Sequence, residues 1–265
     1  MTEPALRVSG LRKTFGTFTA VEDVSFELAA GSSIGIVGES GSGKTTVARM
    51  IIGLEQPTAG RIVCCGNDRS RPSHSTRARR ARAREAQIVF QDPYTSLDPH
   101  RTVLQTLTEA VRLHASAAMS GIDRIQQLAD MVSLDARLLA SMPGHLSGGQ
   151  RQRVAIARAL AANPRVLVLD EAVAALDVSI QAQILNLLDD IRDTTGISYL
   201  FITHDLGVVR QVTDSCLVMQ GGRVVESGDT DTLLRDPAHP YTCALLDSVP
   251  RQGWTPRRRP APETN

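Results

Sequence analysis

The sequence predicts an α/β fold: a mostly parallel sheet with an antiparallel β-layer and a helical subdomain attached. Three observations carry this. Gly38-Glu39-Ser40-Gly41-Ser42-Gly43-Lys44-Thr45 fits G-x-x-x-x-G-K-[ST] and lies between a buried-strand run, Ile34 to Val37, and a helix-like run, Thr46 to Gly53; a phosphate-binding loop requires that strand–loop–helix context. Val166 to Leu169 is a continuous apolar run ending in Asp170 and Glu171, the form of a central parallel strand that delivers acids to the C-terminal edge of a sheet, where ligands bind. Tyr199 to Thr203 is another apolar strand run and ends in His204-Asp205.

The loop has a physical logic. Its glycines let successive backbone N–H groups turn inward on an anion, and the helix that follows points its partially positive N-terminus at the same place. Lys44 reaches the β- and γ-phosphates in such a loop and Thr45 ligates Mg²⁺. Chance gives on the order of one such match per hundred chains of this length at average glycine usage, and the flanking strand and helix lower that further. Asp170 then holds Mg²⁺ through water, and Glu171 polarises an attacking water.

Composition narrows the class. The chain has 265 residues, 42% hydrophobic and 22% charged, the balance of a globular protein with a sizeable core. A net charge of +1 lacks the footprint of a dedicated nucleic-acid binder. No apolar run approaches the ~18 to 20 residues that cross a bilayer, and Met1 to Lys13 lacks the apolar core of a signal peptide, so the expected location is the cytoplasm. Cys64, Cys65, Cys216 and Cys243 form no C-x-x-C pair and read as reduced, mostly buried thiols; neither zinc nor an iron–sulfur cluster is expected.

Taken in order, residues 5 to 9 and 24 to 28 read as strands of the antiparallel layer, the second by alternation of Val24, Phe26 and Leu28 with polar neighbours. Phe15 lies in this layer; aromatics make up only 3% of the chain, and an exposed one near a nucleotide could stack on a base, although core packing is the ordinary fate of a lone Phe. Further strands read at Arg61 to Cys65 and at Gln87 to Phe90. Between them lie seven arginines from Arg69 to Arg84, which suit a solvated helix face better than nucleic acid or anionic lipid headgroups. Residues 102 to 140 read as a helical insert. Leu146-Ser147-Gly148-Gly149-Gln150 follows: Ser147 and Gln150 have capping-box spacing, but two glycines weaken a first helical turn and make sense if another group approaches the backbone there. A helix reads at about Ser179 to Asp193, and a hairpin about Gly221-Gly222 joins Cys216–Met219 to Arg223–Val225. The end, 256–265, reads as disordered.

These motifs, in this order, resemble the ATP-binding subunit of an ATP-binding cassette (ABC) transporter from about Leu6 to Pro250. Gly38 to Thr45 resembles Walker A, Gln91 the Q-loop, Leu146 to Gln150 the family signature, Val166 to Asp170 Walker B with Glu171 the catalytic base, Ala175-Leu176-Asp177 the D-loop, and His204 the switch histidine. Val89 to Pro99 and the tail His239-Pro240-Tyr241-Thr242 to Leu246 are similar to the oligopeptide, dipeptide and nickel importer group. The fold class implied is α/β, a P-loop (RecA-like) nucleotide-binding core with an antiparallel β-layer and a helical subdomain: core about 1–91 and 163–230, insert about 92–162, C-terminal family tail 231–265.

The resemblance also implies roles. Phe15 stacks on adenine; Gly38, Ser40, Gly41, Ser42, Gly43, Lys44, Thr45 and Thr46 hold the phosphates; Gln91 joins Thr45 and Asp170 around Mg²⁺; Glu171, His204 and Gln91 serve hydrolysis. Two cassettes pair head to tail, identical or paralogous, so that Ser147, Gly148, Gly149 and Gln150 face the γ-phosphate held by the other chain, with Asp177 at the junction. The expected partners are that second cassette, integral-membrane permease subunits touched by the helical insert and, indirectly, a solute-binding protein, on the inner face of the cell membrane; no nucleic acid is expected. The rival is a soluble ABC ATPase acting on nucleic acid or ribosomes, which usually carries two cassettes, a long coiled coil or zinc cysteines. Ala172 and Ala174 stand where most relatives have Pro and Ser, which leaves the turn carrying Glu171 without the stiffening of a fixed φ.

Overall fold

Parallel strands buried on both faces must be covered by other elements, and the apolar runs of this chain are placed accordingly. The computed structural model describes residues 3–73, 75–92, 96–114 and 121–248. Its N-terminal half runs β1 (Leu6–Phe15), β2 (Phe18–Leu28), β3 (Ser33–Val37), α1 (Lys44–Ile52), β4 (Ala59–Cys64), β5 (Asn67–Asp68), α2 (Thr76–Glu85), β6 (Ala86–Val89), α3 (Val103–His114), α4 (Gly121–Met131) and α5 (Ala136–Ala140). The C-terminal half adds α6 (Gly148–Leu160), β7 (Val166–Asp170), α7 (Val178–Thr195), β8 (Ser198–Ile202), α8 (Leu206–Val212), β9 (Ser215–Gln220), β10 (Arg223–Asp229), α9 (Thr230–Arg235) and α10 (Pro240–Asp247).

Six strands form one sheet in the order β10-β9-β3-β8-β7-β6. Its interior is parallel, and only β10 runs antiparallel, on β9. Every residue of β3, β7 and β8 is buried, and the period of two sends alternate side chains to opposite faces. Leu167, Leu169, Tyr199 and Phe201 join the core under α6 and α7. Val166, Val168, Leu200 and Ile202 join the one shared with α1 and the β-layer. That layer is a second sheet, β2-β1-β4-β5, antiparallel throughout.

The β-layer strands are longer than alternation alone predicts. The register of β1 on β2 slips between Val8 and Leu11, again to Lys13 and again to Thr14; each slip breaks the period of two, so a strand with bulges reads as a short strand and a loop. The expected helical stretch 102–140 resolves into α3, α4 and α5, with 115–120 outside the described residues and Ser133 in the left-handed region (φ 55°) at the second break. The tail, expected only as a family marker, holds two capped helices: Asp229 accepts from the Thr232 N–H and His239 Nδ1 from the Tyr241 N–H. The predicted disorder at 256–265 lies outside the described residues.

One member of the arginine run departs from the solvated reading. No residue of α2 is buried, which suits a solvated face, but the Arg69 side chain is 1% exposed, with Nε 3.7 Å from the Glu85 carboxylate and Nη2 donating to the Arg82 carbonyl. Charge counting along a chain cannot see this; a guanidinium becomes a core residue only where a carboxylate and a carbonyl turn inward to meet it.

Where α6 starts, its backbone meets α7. A Cβ built on Gly149 would lie 2.4 Å from Ile180 Cγ2, and one on Gly148 3.3 Å from Leu176 Cδ2. The group that approaches the glycines is thus, at least within this chain, Ile180. Gly149→Ala should therefore destabilise by about 1 to 2 kcal/mol, the overpacking cost less the helix propensity gained. In an Ile180→Ala background the same change should be neutral or stabilising. Urea unfolding of the four proteins checks this; an equal loss in both backgrounds would remove Ile180 as the cause.

Candidate nucleotide site

The sheet order decides which loops meet. Across the C-terminal edge β3, β8, β7 and β6 lie side by side. They release, in that order, the loop at Gly38, then His204, then Asp170 with Glu171, and two residues past β6 the exposed Gln91. Four distant segments of sequence thus reach one edge.

Lys44 opens α1 and is buried, 5% exposed. Its Nζ donates to the carbonyls of Gly38 at 2.7 Å and Glu39 at 2.8 Å. Burial pushes its ammonium below the ordinary lysine value, and the charges of Glu171 and Asp170 oppose that shift. The Thr45 hydroxyl donates to Asp170 Oδ1 at 3.1 Å. Burial pushes the Asp170 carboxyl upward, against the hydrogen bond from Thr45. A hydroxyl and a carboxylate in contact, next to a desolvated ammonium, form a donor set suited to a hard cation and a phosphate chain. Gly38 is required for a different reason from the one its loop suggests: at φ 150° an added Cβ would lie 2.2 Å from the Met219 carbonyl oxygen, so β9 leaves no room for a side chain.

Glu171 is in the left-handed region, φ 51°, which costs a non-glycine residue about 1 to 2 kcal/mol. Its backbone is fixed at both ends: the N–H donates to the Ile202 carbonyl at 2.8 Å and the carbonyl accepts from the Ala174 N–H at 3.1 Å. Its carboxylate Oε2 lies 3.0 Å from His204 Nδ1, and the His204 side chain is 60% exposed. Ala172 is buried beside it. Hydrogen bonds to β8 and within the turn hold this carboxylate without a proline.

The comparisons with known proteins follow the same outline. Residues 21–174 match the ABC transporter family model, and residues 225–264 match the C-terminal region of oligopeptide/dipeptide transporters. The chain belongs to the ABC transporter family. It is an ATPase of that kind, an ATP-binding cassette. The oligopeptide transport ATP-binding protein OppF of Bacillus subtilis is 40% identical over 259 residues, covering 94% of this chain and 84% of that one. The protein of the same name from Lactococcus lactis is 43% identical over 232 residues, covering 87% and 72%. Among solved structures, the ATP-binding cassette MJ0796, dimeric in a post-hydrolysis state and bound to ADP and Pi, aligns with a TM-score of 0.76 at 29% identity, covering 85% of this chain and 98% of that one. The rival reading of an ABC ATPase acting on nucleic acid gains no support from these relatives.

Within the cassette, Lys44, Thr45, Asp170, Glu171 and His204 come together at the sheet edge. The signature stands apart from them in its contacts. Ser147 Oγ accepts from the Gln150 N–H and Gln150 Oε1 from the Ser147 N–H, the capping box expected from spacing, while Gly148 and Gly149 face Leu176 and Ile180. Asp177 caps α7, accepting from the Ile180 N–H and the Ser179 hydroxyl. Phe15 ends β1 with 46% of its surface exposed and the Lys13 ammonium 4.7 Å from its ring centroid; it is not a core residue. One contact had no sequence signal: the Tyr241 hydroxyl accepts from the Glu39 N–H at 3.0 Å.

The strain at Glu171 is testable separately from its chemistry, because backbone strain that persists at a site is held there by its surroundings. Glu171→Gly should leave stability unchanged or raise it by up to about 1 kcal/mol, since relief of the left-handed cost outweighs glycine's added entropy, and should abolish ATP turnover. Denaturant unfolding with an ATPase assay checks both; a large loss of stability would mean the carboxylate is structural.

Proposed function

We propose that this cassette hydrolyses Mg²⁺-ATP to power peptide import through separate membrane permease subunits, and that each hydrolytic site is completed by a second cassette. The observation that carries the chemistry is the contact between His204 Nδ1 and Glu171 Oε2 at 3.0 Å, at the edge where Lys44, Thr45 and Asp170 already meet. Glu171 takes the proton of the attacking water, and His204 orients that carboxylate. Lys44, with three N–H donors, keeps the Gly38 carbonyl and turns its remaining donors to phosphate oxygens, and Gly41 to Thr46 present backbone N–H groups and hydroxyls to the same chain of anions. Thr45 and Asp170, the latter through water, would hold Mg²⁺, with Gln91 completing the set. When bound, the metal would supply charge neutralisation for the developing negative charge on the transferring phosphoryl group. Phe15 stacks on the adenine.

Peptide is favoured over nickel as cargo by the two OppF relatives, both named for oligopeptide transport, and by the match of 225–264 to the oligopeptide/dipeptide C-terminal region. The two-chain site is supported by the dimeric cassette MJ0796 and by the exposure of Ser147, which caps a helix whose first turn carries no acidic residue and whose N-terminus is suited to an anion. The permease is proposed to seat on the helical insert. There Leu104 and Leu113 are 45% and 49% exposed on α3, and Leu113 lines a cavity of about 690 Å³ together with Phe90, Arg82, Arg101 and Arg158. A peripheral position on the inner membrane face agrees with the lack, among the described residues, of any helix long and apolar enough to cross a membrane.

Glu171→Gln should keep ATP binding and lose roughly 100-fold or more in turnover, the scale of general-base removal, while accumulating ATP-bound dimer. Lys44→Ala should lose affinity instead. Reconstituted with its permease, the Glu171→Gln protein should stop peptide uptake. Turnover close to wild type in Glu171→Gln would remove Glu171 as the base, and ATP-driven uptake of nickel but not peptide would overturn the cargo.

A further inference from the structure

The tail beyond β10 is tied to the phosphate loop by a short chain of contacts. The Glu226 carboxylate on β10 accepts from the backbone N–H groups of Ala238 at 2.7 Å and His239 at 3.2 Å, which fixes the entry to α10. Pro240 then sets the first turn, and His239 Nδ1 accepts from the Tyr241 N–H. Tyr241, Leu245 and Leu246 pack on the cluster formed by Val37, Leu206, Val209, Cys216, Val218 and Leu233. Val37 is the last residue of the strand that feeds the loop. From this seat the Tyr241 hydroxyl reaches the Glu39 N–H at 3.0 Å.

The Glu39 N–H and the Gly38 carbonyl belong to one peptide group. Tyr241 holds its nitrogen end, and Lys44 donates to its oxygen end at 2.7 Å. On the Gly38 side, the Met219 carbonyl leaves no room for a side chain, lying 2.2 Å from where a Cβ would stand. A planar, rigid peptide pinned at both ends cannot rotate without breaking one of the two bonds. We infer that Tyr241 is a positioning residue of the nucleotide site: the docked tail sets the orientation of the peptide on which Lys44 rests, and so sets ATP affinity. A buried ammonium is sensitive to the dipoles around it, and this peptide supplies one of its two nearest carbonyls. The inference rests on reading residues 38–45 as the phosphate loop. It gives the importer-type tail a role at the ATP site of its own chain, in addition to any role in assembly.

The test uses the full chain. Tyr241→Phe keeps the ring in its cluster and removes only the hydroxyl. The dissociation constant and KM for ATP should rise about three- to tenfold, the scale of one net hydrogen bond, with kcat and Tm little changed and the Glu39 amide exchanging faster with solvent. Leu234→Ala, in the same cluster but with no hydrogen bond to the loop, should lower Tm and leave ATP affinity as it was. Lys44→Ala is measured alongside. Wild-type affinity and wild-type Glu39 exchange in Tyr241→Phe, in a series where Lys44→Ala has lost binding, would overturn the role of Tyr241 alone. Matching losses of affinity and Tm in Tyr241→Phe and Leu234→Ala would make Tyr241 a packing residue. Undiminished binding in Lys44→Ala would overturn the phosphate-loop reading and this inference with it.

Discussion

A lysine ammonium held out of water at the end of a parallel strand constrains everything near it. Lys44 is 5% exposed, and burial pushes its ammonium toward neutrality. A buried charge without partners costs several kcal/mol, so the surrounding chain must supply opposite charge and dipoles. Two backbone carbonyls of the loop and the carboxylates of Asp170 and Glu171 do so. Two carbonyls are weaker partners for an ammonium than phosphate oxygens, because hydrogen bonds between ionised groups are the stronger kind. The site is therefore arranged for a polyanion.

The rest of the fold keeps these groups in reach of one another. Placing β8 between β3 and β7 sets His204 between the loop and the carboxylates, and the bond from the Glu171 N–H to the Ile202 carbonyl locks the turn after β7 to the end of β8. Glu171 and His204 are thus positioned by adjacent strands of one sheet, the most rigid arrangement the fold offers, and the strained backbone at Glu171 is held by those hydrogen bonds. The glycines serve packing as well as ligand approach. Met219 closes against Gly38, and Ile180 against Gly149, so the phosphate loop and the signature are each wedged against an element of the same chain.

Much of this was legible in the sequence because it rests on local patterns. Apolar runs that end in charged residues announced β7 and β8, the strand and helix flanking residues 38–43 formed as the loop's spacing implied, and so did the capping box at Ser147 and Gln150. What escaped detection depends on long-range contacts. Bulges hid half of β1 and β2. Arg69 read as solvated although it is buried against Glu85. Tyr241 read as a tail marker although it touches Glu39, 202 positions away in sequence. Core packing is the ordinary reading of a lone Phe15 and base stacking came only from the family resemblance; its 46% exposure removes the core reading. No pattern of period or spacing records which distant residues a fold brings together.

The central claim is that the hydrolytic site is shared between two chains, with the phosphates held by Lys44 of one and faced by Ser147 of the other. The most direct measurement is ATP affinity and turnover for Ser147→Arg, for Lys44→Ala and for the two mixed. The account predicts that Ser147→Arg alone binds ATP as wild type does and fails to hydrolyse it, that Lys44→Ala alone fails to bind, and that mixing restores turnover through one composite site. Turnover by Ser147→Arg alone at the wild-type rate, first order in protein, would contradict it.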